Sequence, residues 1–182
     1  MTNDPNHQQL FSNGVKLHEL GIAGDKYAVK KAYEIFEKLH RADPQSLLVE
    51  AYLGSSTALL GRDSIDPNQK LKLALSGMKM LDKVIAKDPQ NIETRSIRAY
   101  VNFNLPEMVF HRTGSAIEDF NTLITRYEHD KKAISEVFYH QLLYDLGVAY
   151  KRVGKKEQTK TVWAKLSQIT KDPIILEKIT RE

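Results

Sequence analysis

Apolar residues recur every three or four positions along most of the chain, and glycines or Asp-Pro pairs interrupt the recurrence at intervals. That period is the signature of amphipathic helices. Asp4-Pro5 can open the first, because Asp is a good N-cap and Pro is tolerated in the first turn. Leu10, Gly14 and Leu17, with Phe11 beside them, then mark one face up to Leu20-Gly21. After the linker Gly21-Ile22-Ala23-Gly24-Asp25, a second helix places Ala28, Ala32, Ile35, Phe36 and Leu39 on one side, with Lys30, Lys31, Glu34, Glu37 and Lys38 largely opposite. Asp43-Pro44 stops it. The plan repeats with a helix through Leu47, Leu48, Ala51, Tyr52, Gly54 and Leu59 that ends at Gly61. Its partner runs through Leu71, Ala74, Leu75, Met78, Leu81, Val84 and Ile85 to Asp88-Pro89. A third helix pair begins near Asn91 and carries Ile92, Ile97, Ala99, Tyr100, Val101 and Phe103. It is broken at Asn104-Leu105-Pro106, with a short turn expected over Glu107 to Phe110. The segment 111–115 then interrupts the chain before Ala116, Ile117, Phe120, Leu123, Ile124 and Tyr127. A fourth pair is expected from Lys132 to Gly154 as one long helix and from Lys156 to about Thr170, burying Val162, Trp163, Leu166 and Ile169. Asp172-Pro173 starts a short last helix with Ile174, Ile175, Leu176 and Ile179, expected to cover the end of the stack.

Glycines sit seven residues apart three times, at Gly14/Gly21, Gly54/Gly61 and Gly147/Gly154. A glycine inside a helix costs about 1 kcal/mol relative to alanine, so a packing reason is expected. The first glycine of each pair admits a closely crossing helix, and the second is read as a left-handed C-cap. Asp43, Asp88, Asp130 and Asp172 close successive repeats, and Pro follows all but Asp130. These boundaries predict one helical-repeat domain over 1–182, with repeats at approximately 5–44, 45–89, 90–130 and 131–172 and a terminal helix at 173–181. No alternating strand pattern competes.

Composition narrows the function more than the fold. The 182 residues carry no cysteine, which removes disulfides, thiolate metal sites and cysteine nucleophiles and fits a cytoplasmic setting. The N-terminal residues lack a basic region followed by an apolar stretch, so no secretory signal is expected, and no apolar run is long enough to span a membrane. The net charge of +4 is concentrated at the C-terminal end. The basic segment 151–160 could contact nucleic acid. It also spans a predicted helix C-terminus, where cations are favoured, and no aromatics interleave it for base stacking.

Catalytic chemistry finds no constellation. The six histidines form no His-Glu-x-x-His pair, Gly54-Ser55-Ser56 lacks the nucleophile-elbow form, and Gly21-Ile22-Ala23-Gly24 lacks the spacing of a phosphate loop. Glu118-Asp119 reads as solvated surface charge. A non-enzyme with no metal and no cofactor is expected.

Leu146-Gly147-Val148-Ala149-Tyr150, followed by Gly154, Trp163 and a closing Asp-Pro, resembles a tetratricopeptide repeat (TPR). Leu53-Gly54 with Thr57 and Gly61 is a weaker match, Gly14, Leu17, Gly21, Ala32, Phe36 and Pro44 are similar with an insertion, and the third repeat matches least. Every period exceeds the family's 34 residues. The resemblance implies an all-α fold, antiparallel helical hairpins stacked as a short TPR-like right-handed α-solenoid of about four hairpins plus a terminal helix. It also implies a protein-interaction module, an adaptor or scaffold, holding a peptide or helix in a concave groove. The family's groove positions, carried over, are Phe11, Val15 and His18; Ala51, Ser55 and Ala58; Ser96, Tyr100 and Phe103; and Tyr144, Val148 and Lys151. The family's carboxylate clamp of Lys and Asn is not formed by this set, which favours an apolar or aromatic segment, or else these aromatics are core. The connector with Met108, Val109, Phe110, His111 and Arg112 either tucks back to fill the gap in the third repeat or presents a partner-binding loop. Self-association is the alternative function; nucleic-acid binding through 151–160 is a lesser one.

Overall fold

The computed structural model describes residues 5–181, so the proposed Asp4 cap lies outside them. Ten helices and no strand are found among the described residues: α1 (Pro5–Ile22), α2 (Lys26–Ala42), α3 (Leu47–Asp63), α4 (Pro67–Lys87), α5 (Ile92–Asn104), α6 (Glu107–Phe110), α7 (Thr113–His129), α8 (Glu136–Arg152), α9 (Lys156–Ile169) and α10 (Pro173–Arg181). The chain is divided into two compact units, Met1–Val101 and Asn102–Glu182, and the division falls within α5, in the repeat whose sequence departs furthest from the others.

Helix starts follow from local chemistry. Asp25 accepts hydrogen bonds from the backbone N–H of Tyr27 and Ala28 at 2.9 and 3.0 Å. Asp66 does the same for Asn68 at 2.9 Å, and Asn91 for Thr94 at 3.0 Å. The recurring aspartates have a further role. Asp43, Asp88, Asp130 and Asp172 each accept from the N–H two residues on, in Gln45, Gln90, Lys132 and Ile174, at 3.2, 3.3, 3.0 and 2.8 Å. Such a turn uses no N–H at the intervening position, which is why Pro44, Pro89 and Pro173 fit there and Lys131 substitutes without loss of the bond.

In the first unit, Ala32, Phe36, Leu39, Val49 and Leu53 form a buried cluster with Leu10, Phe11, Val15, Leu17 and Tyr52 packed against it. A second cluster joins Ala51, Leu81 and Val84 to Ile97 and Val101 of α5. The glycines explain the closeness of these crossings. A Cβ at Gly14 would lie 2.9 Å from both Ile35 and Phe36, and one at Gly54 would lie 3.1 Å from the Gly77 carbonyl. Gly77, absent from the seven-residue pattern, is tighter still, its Cβ position being 2.4 Å from the Gly54 carbonyl. The expected C-caps are corrected in two cases of three. Gly21 and Gly61 lie inside α1 and α3, buried against Val29 and against Lys70 and Ala74, and only Gly154 is left-handed, with φ +76. After α1 the left-handed position is Gly24, φ +112. Leu71 and Leu75, expected on the buried face of α4, are exposed, because Ala74, Gly77 and Met78 form the face that meets α3.

In the second unit the buried residues are Ala116, Phe120, Leu123, Ile124 and Tyr127 of α7, Tyr139, Leu142, Leu143, Leu146 and Ala149 of α8, and Trp163 and Leu166 of α9. Tyr127 and Tyr139 stack at 4.2 Å with the Lys131 ammonium 4.3 Å over the Tyr127 ring. The Tyr139 hydroxyl donates to Glu128 at 2.9 Å, and Lys165 pairs with that same carboxylate. The long helix expected from Lys132 begins only at Glu136: the Asp130 turn occupies the preceding residues, and Ser135 caps the helix by accepting from Phe138 N–H at 3.2 Å. Ile169 is exposed rather than buried, and Asp119, read as surface charge, is fully buried while Glu118 remains outside. Gly114 stands in the first turn of α7 with nothing within 4 Å of a Cβ and no left-handed strain. Gly114→Ala is therefore expected to stabilise the chain by about 0.5 kcal/mol through helix propensity, read as a small rise in the thermal midpoint.

Candidate partner-binding surfaces

The groove positions taken from sequence separate into packed and partly exposed side chains. In the first unit His18 and Ser55 face inward, 4% and 3% exposed, and share a hydrogen bond of 2.8 Å between Nε2 and Oγ. Tyr52 and Phe36 stack at 4.9 Å, and the His18 ring meets them edge-on at 5.3 and 6.5 Å. Phe11 closes the cluster with edge contacts to Phe36 and Tyr52 at 5.9 and 5.6 Å. Burial drives the His18 pKa down to about 4, so the ring is neutral at physiological pH, held by a hydroxyl that suits an uncharged imidazole. Phe11 and Val15 are half-buried and Ala51 is buried, with Ala58, Ser96 and Tyr100 half-buried.

Tyr52 has no place in the sequence-derived set, yet it joins the cluster to solvent. Its hydroxyl donates to Glu93 at 3.2 Å, and burial first, then the Glu93 carboxylate, raises its pKa. Its position three residues before Ser55 puts it on the same face of α3; that spacing was the available signal. Another charge missed by sequence is Glu50, buried at 2% and paired with Lys83 at 2.7 Å and Lys87 at 3.7 Å.

In the second unit, Phe103 meets Phe120 edge-on at 5.4 Å, and the Arg152 guanidinium lies 4.7 Å from its ring centre and donates to its carbonyl. Tyr144 is half-buried with its ring near-parallel to Trp163 at 6.2 Å, and the Lys178 ammonium of α10 sits 5.6 Å from the Tyr144 centroid. The Trp163 indole N–H donates to the Tyr144 carbonyl at 3.2 Å. Val148 is half-buried and Lys151 exposed.

The connector after α5 presents rather than tucks in its apolar residues. Met108 is 92% and Val109 60% exposed, and only Phe110 is half-buried. The turn is built rather than loose. Glu107 accepts from the Thr113 N–H at 2.8 Å, which ties α6 to the start of α7, and the Thr113 side chain and N–H hold the Glu107 carboxyl below its ordinary range. His111 takes the left-handed conformation, φ 50, to end α6, and Arg112 Nε donates to Asn102 at 3.0 Å.

The basic segment 151–160 is divided between two helix ends. Lys151 and Arg152 lie in the last turn of α8, where cations are favoured, while Lys155 and Lys156 stand at the start of α9, which has no side-chain cap. Tyr150 carries the Lys155 ammonium at 5.9 Å, and its hydroxyl accepts from Asn121 at 3.1 Å. Among the described residues no three His, Asp or Glu side chains are grouped as a metal site, and no helix is long and apolar enough to cross a membrane.

Antiparallel helical hairpins joined at small residues and closed by Asp turns define an all-α, TPR-like helical-repeat fold. A crystal structure of MamA, a TPR-like helical protein, shares it at 19% identity and a TM-score of 0.53, over 80% of this chain and 70% of that one. A second MamA structure, from AMB-1, matches at 18% identity and a TM-score of 0.51, over 84% of this chain and 70% of that one. No family model and no curated protein sequence matches the chain. At these identities the likeness concerns the fold.

Proposed function

We propose that the chain is a non-catalytic interaction module, an adaptor or scaffold of the cytoplasm, that holds an apolar or aromatic segment of a partner protein against the first helices of its hairpins. The observation that carries this reading is the half-buried rings on those helices in each unit taken by itself: Phe11 on α1, Tyr52 on α3 and Tyr100 on α5 in the first, and Tyr144 on α8 in the second. Aromatic side chains anchored by packing on one side supply large contact area at low entropic cost, and such residues dominate binding energy at protein interfaces. The exposed Met108 and Val109 add a second apolar contact from a turn that Glu107 holds in place.

The test is partner capture by Tyr100→Ala/Tyr144→Ala, after circular dichroism shows the helices intact. Loss of an interfacial aromatic anchor costs about 2 kcal/mol or more, roughly a thirty-fold weakening. Capture undiminished by the pair of substitutions would refute these helices as the binding surface. Self-association is favoured by one observation, the exposed Leu71 and Leu75 one turn apart on α4. Sedimentation over a concentration range decides it, a strict monomer removing that reading.

A further inference from the structure

The last helix differs from every longer one in how it is held. α10 has nine residues and none of them is buried. Ile175, Leu176 and Ile179 share one half-buried face, and Ile174 is largely exposed. By contrast α9 sinks Thr159, Trp163 and Leu166. Asp172 starts α10 by accepting from the Ile174 N–H at 2.8 Å, and residues 170–172 form the non-helical connection before it. A helix this short is marginal in water alone, so its helicity is owed to the surface on which it rests.

That surface includes Tyr144. The ring is backed by the buried Trp163, and the Lys178 ammonium of α10 lies against it. The contact is of a kind that any helix with a suitably placed cation can make, since a cation near an aromatic face is attracted by the ring quadrupole. Shallow apolar burial with the Lys178–Tyr144 contact is a small hold compared with the buried Trp163 and Leu166 that fix α9.

We propose that α10 is a built-in competitor on a helix-binding seat at α8–α9, and that a partner enters by displacing it. The partner element is a short amphipathic helix that repeats the α10 pattern, aliphatic residues at i, i+1 and i+4 with Lys or Arg at i+3, as in Ile175, Leu176, Lys178 and Ile179. This rests on the interaction-module reading and deepens it by naming the ligand class and the step that gates access.

The probe is a fluorescein-labelled peptide of residues 171–182, added to the full chain and to its Ile175→Asp/Ile179→Asp variant, in which α10 can no longer seat. Anisotropy is expected to show binding to the variant at least about ten-fold tighter than to the wild type, because occupancy by α10 reduces the competent fraction. Adding Tyr144→Ala to the variant should abolish it. Equal binding to both chains, or none to a variant whose circular dichroism and urea transition match the wild type, overturns the proposal. Should the variant not fold, hydrogen exchange on the wild type decides: α10 amides are expected to exchange well before those of α8 and α9, and equal protection overturns it. Concentration-dependent dimerisation that the variant loses would assign the seat to a second copy and overturn the partner assignment. Failure of peptide binding with partner capture still dependent on Tyr144 sinks only this inference; the converse result sinks only the module reading.

Discussion

Gly147→Ala is expected to lower the stability of the second unit by about 2–4 kcal/mol, although alanine is the better helix former by about 1 kcal/mol. The reason is a single contact. A Cβ at position 147 would lie 2.0 Å from the Trp163 indole nitrogen and 2.5 Å from two further ring atoms, so the ring cannot keep its place. Trp163 is buried, its N–H is bonded to the Tyr144 carbonyl, and Thr159 donates to the Gly147 carbonyl at 3.3 Å on the same crossing. Unseating a buried aromatic side chain costs on the order of 3–5 kcal/mol, which exceeds the propensity gain. Trp163 is the one tryptophan of the chain, so its fluorescence during urea unfolding reports the effect directly. An unchanged or higher midpoint would show that the α8–α9 crossing does not depend on the missing side chain.

The second large effect is acid-induced and belongs to the first unit. His18 is neutral and buried, and that burial lowers its pKa to about 4 from the ordinary imidazole value of 6.5 that the unfolded chain keeps. Above pH 6.5 neither state binds the proton, and the full stability is present. Between 6.5 and 4 the unfolded chain takes up a proton that the folded one refuses, so stability falls as pH falls. It is lost to the extent of about 3 kcal/mol once the folded pKa is passed. Phe36, Tyr52 and the Ser55 hydroxyl surround the ring and provide no carboxylate to stabilise an imidazolium. Urea midpoints by circular dichroism at pH 7 and pH 4.5 measure the loss, with His18→Gln as the comparison that subtracts the carboxylates titrating in the same range. His18→Gln should be less stable at pH 7 but lose less on acidification; equal slopes would place the His18 proton in solvent.

Much of the fold was legible in the chain because local rules and packing agree in it. The period of apolar residues located the helices, and the side chains of Asp25 and Asn91 cap the helices that follow them. The first glycines of the seven-residue pairs sit where a crossing helix leaves no room for a Cβ. The candidate surface was less legible. A family-based position says which helix face a residue occupies, but whether that face is open depends on what packs over it. His18 and Ser55 satisfy each other inside the first unit, and Phe103 lies beneath Arg152.

The sequence by itself determined the all-α class, the turns at the four aspartates and the need for close crossings, since each follows from the conformational preferences of a few adjacent residues. Tertiary structure alone decided which glycines are caps and which are contacts. Gly61 and Gly154 both end a seven-residue pair, but Gly61 meets the backbone of Lys70 and Ala74, whereas Gly154 meets nothing and turns left-handed. It also decided that Met108 faces outward and that His18 is neutral. Those outcomes turn on which atoms from distant parts of the chain arrive within a few ångströms, and no local pattern encodes that distance.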